Sequence, residues 1–126
     1  MRKVIALTAL ALATSCSTTN MDTRGAALTQ ATPVGEPQDC IRANDISHTR
    51  IRDDRTIDFV LRGGQVFRNV LPYRCSGLAT YDKFLYKPAT SQLCSVETIT
   101  VITTDGSPGP SCGLGKFQRI ELPFKS

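Results

Sequence analysis

Cysteine and histidine are the residues of this 126-residue chain with the most chemistry to explain. Cys40, Cys75, Cys94 and Cys112 lie 35, 19 and 18 positions apart, with no short Cys-x-x-Cys pair. Structural zinc sites use such pairs, so the spacing argues for disulfides and against a metal centre. Four cysteines admit three pairings, and spacing alone does not choose. The pairing expected here is Cys75–Cys94, closing a local loop around Ser76-Gly77-Leu78, with Cys40–Cys112 tying the domain's start to its end. His48 is the only histidine. A nucleophile activated by its imidazole would need Asp45, Asp53 or Asp54 to orient the ring. No serine stands in a nucleophile-elbow setting and the thiols are committed to bridges, so His48 reads as a strand surface residue and no catalytic residue is expected. Asp53-Asp54 reads as a turn former. Cys112-Gly113-Leu114-Gly115-Lys116-Phe117 resembles a phosphate loop only superficially. Pro110 stands where the first glycine belongs, and Phe117 where Ser or Thr would hold magnesium. No cofactor is expected. Tyr73, Tyr81 and Tyr86 read as core edges and rims. Arg68, Asn69 and Tyr73 are the candidate binding residues.

Charge narrows the partners. The formal charge is +4, and without Arg2 and Lys3 it falls to +2, which is not a nucleic-acid-binding balance. The basic residues are uneven. Arg42, Arg50, Arg52, Arg55, Arg62, Arg68 and Arg74 share one stretch with Asp45, Asp53, Asp54 and Asp58, and no lysine intervenes. Arginine forks bind carboxylates and phosphates at two points, which makes anionic envelope groups a possible target. Local Arg–Asp pairing on strand faces is the plainer reading.

The N-terminus sets the address. Arg2 and Lys3 precede an apolar run over 4–13, long enough for a signal sequence and shorter than the roughly 20 residues of a membrane span. Cleavage after Ala13 would release a soluble periplasmic or secreted protein. The alternative is Ala13-Thr14-Ser15-Cys16, which resembles a bacterial lipoprotein box with Ala where Leu is usual. Parity favours lipidation at Cys16, because the remaining four cysteines then form an even set. Acyl chains on Cys16 would hold the protein to a membrane, and Ser17 suits the periplasmic face of the outer membrane. Residues 1–15 are thus read as signal peptide, 16–38 as lipidated cysteine and flexible tether, and 39–126 as one disulfide-stapled β domain. The tether is polar, small and without apolar periodicity, with a reach on the order of 25 Å.

The elements that must position these residues are strands. Segments 56–62 and 65–71 flank Gly63-Gly64, a two-residue hairpin turn that would set Phe59 opposite Arg68 and Ile57 opposite Val70. Further strands are read at 46–52, 83–87, 97–103 and 116–122, with a Pro/Gly loop over 104–111. No useful helical period appears in the mature domain. The expected fold is mainly β, a small antiparallel meander of five to six strands, barrel- or sandwich-like, stapled by two disulfides.

Taken together, Cys40-Ile41, Asp53-Asp54-Arg55-Thr56-Ile57, Arg62-Gly63-Gly64, Phe67-Arg68-Asn69-x-Leu71, Cys75-x-Gly77-Leu78, Phe84-x-Tyr86, Leu93-Cys94 and Cys112-x-Leu114-Gly115-x-Phe117 resemble a family of short bacterial envelope proteins of unknown function. Ser76 stands where that family has Pro. The resemblance covers nearly all of 39–120 and implies a shared disulfide fold without a transferable active site. The expected function is a non-catalytic binding or structural module of the cell envelope, anchored by Cys16, whose partner is an envelope protein, glycan or anionic lipid. Its alternatives are an inhibitor that plugs a secreted hydrolase with a rigid loop at 75–81, and a small enzyme using His48.

Overall fold

A computed structural model describes residues 23–88 and 90–124; the expected signal peptide and Cys16 lie outside the described residues. Helix α1 (Thr23–Gln30) precedes β1 (Thr32–Pro33), β2 (Cys40–Arg42) and a 3-10 turn (Ala43–Asp45). Then come β3 (Ile46–Ile51), β4 (Thr56–Leu61), β5 (Val66–Val70), α2 (Leu78–Tyr81), β6 (Phe84–Tyr86), β7 (Gln92–Cys94), β8 (Thr98–Ile102), β9 (Pro108–Gly113) and β10 (Phe117–Glu121). The strands form a five-stranded sheet ordered β1-β10-β5-β4-β3, a three-stranded sheet β6-β8-β9 and the pair β2-β7. Among the described residues all pairings are antiparallel, and no sheet closes into a barrel. The six expected strands are present, and the fold is mainly β, as expected.

The glycine hairpin forms with a longer loop than its sequence suggests. Leu61 N–H donates to Gln65 O at 2.8 Å, so Arg62, Gly63 and Gly64 make a three-residue loop. Gly63 and Gly64 take φ of +95° and +94°, which side-chain-bearing residues rarely adopt. The extra loop residue moves every cross-strand pair by one. Phe59 opposes Phe67, and Asp58 opposes Arg68. The expected Phe59–Arg68 row does not exist, because register carries each side chain to a fixed face.

That register builds the core. Ile57, Phe59, Leu61, Phe67, Leu71 and Phe117 on one face of the large sheet pack against Ile99 and Val101 of β8 and against Leu93 and Leu78. Phe59 is fully buried and meets Phe117, Phe84 and Tyr86 edge-on at centroid distances of 5.4, 6.2 and 6.3 Å. Burial of one such side chain contributes about 1.5–3 kcal/mol. Every residue of β4 is buried, so its second face is covered too.

Both disulfides form, but with the other partners. Cys40 bonds Cys94, and Cys75 bonds Cys112. The expected Cys75–Cys94 and Cys40–Cys112 pairs are corrected by strand pairing: β2 lies directly on β7, with Cys40 opposite Cys94. The sequence showed neither strand.

Three further expectations change. From residue 23 the segment read as tether is laid on the domain, with α1 over the large sheet and β1 on the edge of β10. The Pro/Gly loop ends early, because Pro108 and Pro110 belong to β9, an edge strand that tolerates missing donors. A short helix, α2, sits inside the β domain, opened by Gly77 at φ +85° and closed by Asp82 at φ +54°.

Candidate functional site: an anchored loop between β5 and β6

The chain between β5 and β6 is irregular apart from the short α2, yet several side chains hold it. Arg55, in the turn before β4, donates from Nε to Leu71 O at 2.6 Å and from Nη2 to Pro72 O at 3.2 Å. Asp53 orients that arginine's backbone by accepting Arg55 N–H at 2.8 Å, a local Asp turn. Asp54 holds the next part. Its backbone oxygen accepts Cys75 N–H at 2.7 Å. Its carboxylate takes the Arg74 guanidinium at 2.8 Å and caps Ala79 N–H at 2.9 Å. The Ala79 amide bond and, less strongly, Arg74 hold the Asp54 carboxyl below the ordinary carboxylate range, although partial burial opposes them. Below the loop, Cys75 and Leu78 are fully buried, and the Cys75–Cys112 bridge ties it to β9.

These contacts leave Tyr73 standing clear. It is 82% exposed, while both its flanks are pinned. Arg74, 76% exposed, lies beside it. An open depression of ≈ 450 Å³, lined by Asp53, Asp54, Arg55, Arg74, Ala79 and Thr80, adjoins the loop. Tyrosine and arginine on a rigid support can bind with little loss of conformational freedom, and both are enriched among residues that dominate protein interfaces.

The other two candidate binding residues serve the fold. Arg68 does not extend over Phe59. It forks onto the fully buried Asp58, from Nε to Oδ1 at 2.7 Å and from Nη2 to Oδ2 at 2.9 Å. Asp58 Oδ2 also takes Arg52 Nε at 2.8 Å. Asn69, on the opposite face, clamps Gly115: its Nδ2 donates to Gly115 O and its Oδ1 accepts Gly115 N–H, both at 2.7 Å. Arg68, Asn69 and Tyr73 therefore do not converge.

His48 stands opposite Val60 on β3. Its Nδ1 lies 3.3 Å from Ser47 Oγ, and its Nε2 is buried without a hydrogen-bond partner. Asp53 and Asp54 are engaged in the loop contacts above, so the structure does not bring them to the imidazole. Much of the arginine stretch is used internally: Arg52 and Arg68 on Asp58, Arg74 on Asp54, Arg55 on backbone oxygens. Among the described residues no group of three or more His, Cys, Asp or Glu side chains is placed to hold a metal ion, and no helix is long and apolar enough to cross a membrane.

Sequence reasoning missed the supports rather than the exposed residue. Asp54 and Arg55 looked like ordinary turn formers, and their reach to 71–79 carries no local signature. The charge of Asp58 within an apolar strand, directly between the core residues Ile57 and Phe59, was a usable signal. It would have found Arg68 had the three-residue loop been read. Compared with protein-family models, curated proteins and solved structures, the chain finds no match.

Proposed function

We propose that this chain is a non-catalytic binding module of the bacterial cell envelope, exported, acylated at Cys16 and engaging a protein partner through the 72–81 loop. The observation that carries the binding reading is Tyr73: a large amphipathic side chain left open on a loop fixed by Arg55, Asp54 and the Cys75–Cys112 bridge. The two disulfides agree with an oxidising compartment. The resemblance of the cysteine and turn motifs to short envelope proteins agrees with the same address. A rigid exposed loop bounded by a disulfide also suits the narrower reading, an inhibitor that inserts this loop into a hydrolase cleft.

The test compares envelope-protein capture by the wild-type domain, by Tyr73→Ala and by Val96→Ala, with quantitative mass spectrometry. Val96 is 88% exposed and outside the loop, so it controls for loss of any apolar surface residue. One protein enriched by wild type and Val96→Ala, and lost by at least tenfold with Tyr73→Ala, is the expected result. Capture that ignores the Tyr73 change would contradict the loop's role.

A further inference from the structure

We infer that residues 23–38 form a docked strap that holds the folded body close against the lipid surface, with the start of α1 facing the bilayer. This rests on the proposed acylation of Cys16. The strap is seated along its length. Ala27 is fully buried, and its carbonyl accepts Arg68 Nη2–H at 3.0 Å. That carbonyl belongs to the last turn of α1, where the helix offers no N–H of its own. Arg68 supplies the donor, and its charge suits the negative end of the helix. Farther along, Val34 N–H donates to Arg119 O at 2.8 Å. Gln118 Nε2 donates to the carbonyls of Val34 and Gly35, both at 3.1 Å. Gln38 and Phe117 then exchange both backbone bonds, at 2.9 and 2.8 Å.

The consequence is a length. If 16–38 were free, the chain from Cys16 to Asp39 would reach at most about 80 Å. With the strap docked, only the stretch from Cys16 to Thr23 is available, at most about 25 Å. A domain of this size is roughly 30 Å across. The remaining linker is too short to pass around such a body, so the domain cannot turn its far side to the membrane. Docking thus sets both the standoff and the orientation.

The test uses the full acylated protein on a supported phosphatidylethanolamine/phosphatidylglycerol bilayer, read by neutron reflectometry. Two variants release the strap by different means. Ala27→Glu puts a charged side chain at a fully buried position of α1, and Val34→Pro removes the N–H that pairs with Arg119. Mass analysis without reduction confirms that both keep their bridges. Wild type is expected to abut the headgroups, and the variants to gain a hydrated gap on the order of 10 Å, because release of 23–38 lengthens the free chain. Amide exchange of Val34 and Gln38 in the wild-type sample is expected to be slow. An equal gap in wild type and variants, or fast exchange at both amides in wild type, overturns the inference. Wild-type protein without acyl mass overturns the anchor, and with it the seating at the lipid; slow exchange in that same sample shows that the strap itself is docked and that the failure lies with the anchor.

Discussion

Asp58 shows how much depends on single side chains. It is fully buried between Arg52 and Arg68, and it fixes the arginine that receives α1. Removing one member of a buried ion set leaves the others desolvated and uncompensated, which costs about 3–5 kcal/mol. Asp58→Ala is therefore expected to lower the unfolding free energy by about that amount in urea titrations under non-reducing conditions. A change below about 1 kcal/mol would mean that the arginines find water instead. Asp54 makes a pH prediction. Its carboxyl is held below the ordinary range, first by the Ala79 amide and then by Arg74. A depressed folded pKa stabilises above the unfolded value, and the contribution is lost as pH falls through the folded one. The loop should therefore loosen only below about pH 4. The Ala79 amide shift in an NMR titration should report a midpoint below that of a free aspartate; an ordinary midpoint would contradict the cap. At this scale the sequence was informative about types and poor about partners. It showed that the cysteines pair, because parity needs only a count. It did not show Cys40 against Cys94, because that pairing depends on two three-residue strands without an alternating pattern.

The strands were the most legible elements. Segments of alternating, β-branched sequence at 46–51, 56–61, 66–70, 98–102 and 117–121 all form, because side-chain period and strand geometry agree. The hairpin's register was off by one, since Gly63-Gly64 fits both a two-residue turn and a three-residue loop. The strap was illegible for another reason. Its grip comes from backbone groups of Ala27, Val34 and Gly35, which any residue carries, so small polar composition read as freedom. Gly115 gives this scale its prediction. A methyl group there would collide with Val70 O, between β5 and the clamp from Asn69. Gly115→Ala must displace β10 from β5 or break the Asn69 bonds, and is expected to destabilise by about 1–3 kcal/mol. Unchanged thermal unfolding would show that the backbone yields freely.

The whole molecule couples a stapled sandwich to its own N-terminal segment. The bridges close loops of 54 and 37 residues, each worth about 4 kcal/mol in the chain-entropy model. That is a large share of the roughly 5–15 kcal/mol typical of a domain. One bridge joins β2 to β7, and the other fastens the Tyr73 loop to β9, so the same oxidation that stabilises the fold also fixes the candidate binding surface. In the proposed function, export, anchoring and strap would act in series: an oxidising compartment would make the bridges, acylation would give the attachment, and the docked segment would set the distance. In the proposed protein Cys16 carries lipid while Cys40, Cys75, Cys94 and Cys112 are all paired. Intact mass of the protein purified from envelopes, before and after reduction, tests it most directly. The expected species is a chain beginning at Cys16 with added acyl mass, which gains two hydrogens per bridge, four in all, on reduction. A chain beginning after Ala13 with a free Cys16 thiol and no acyl mass would contradict it.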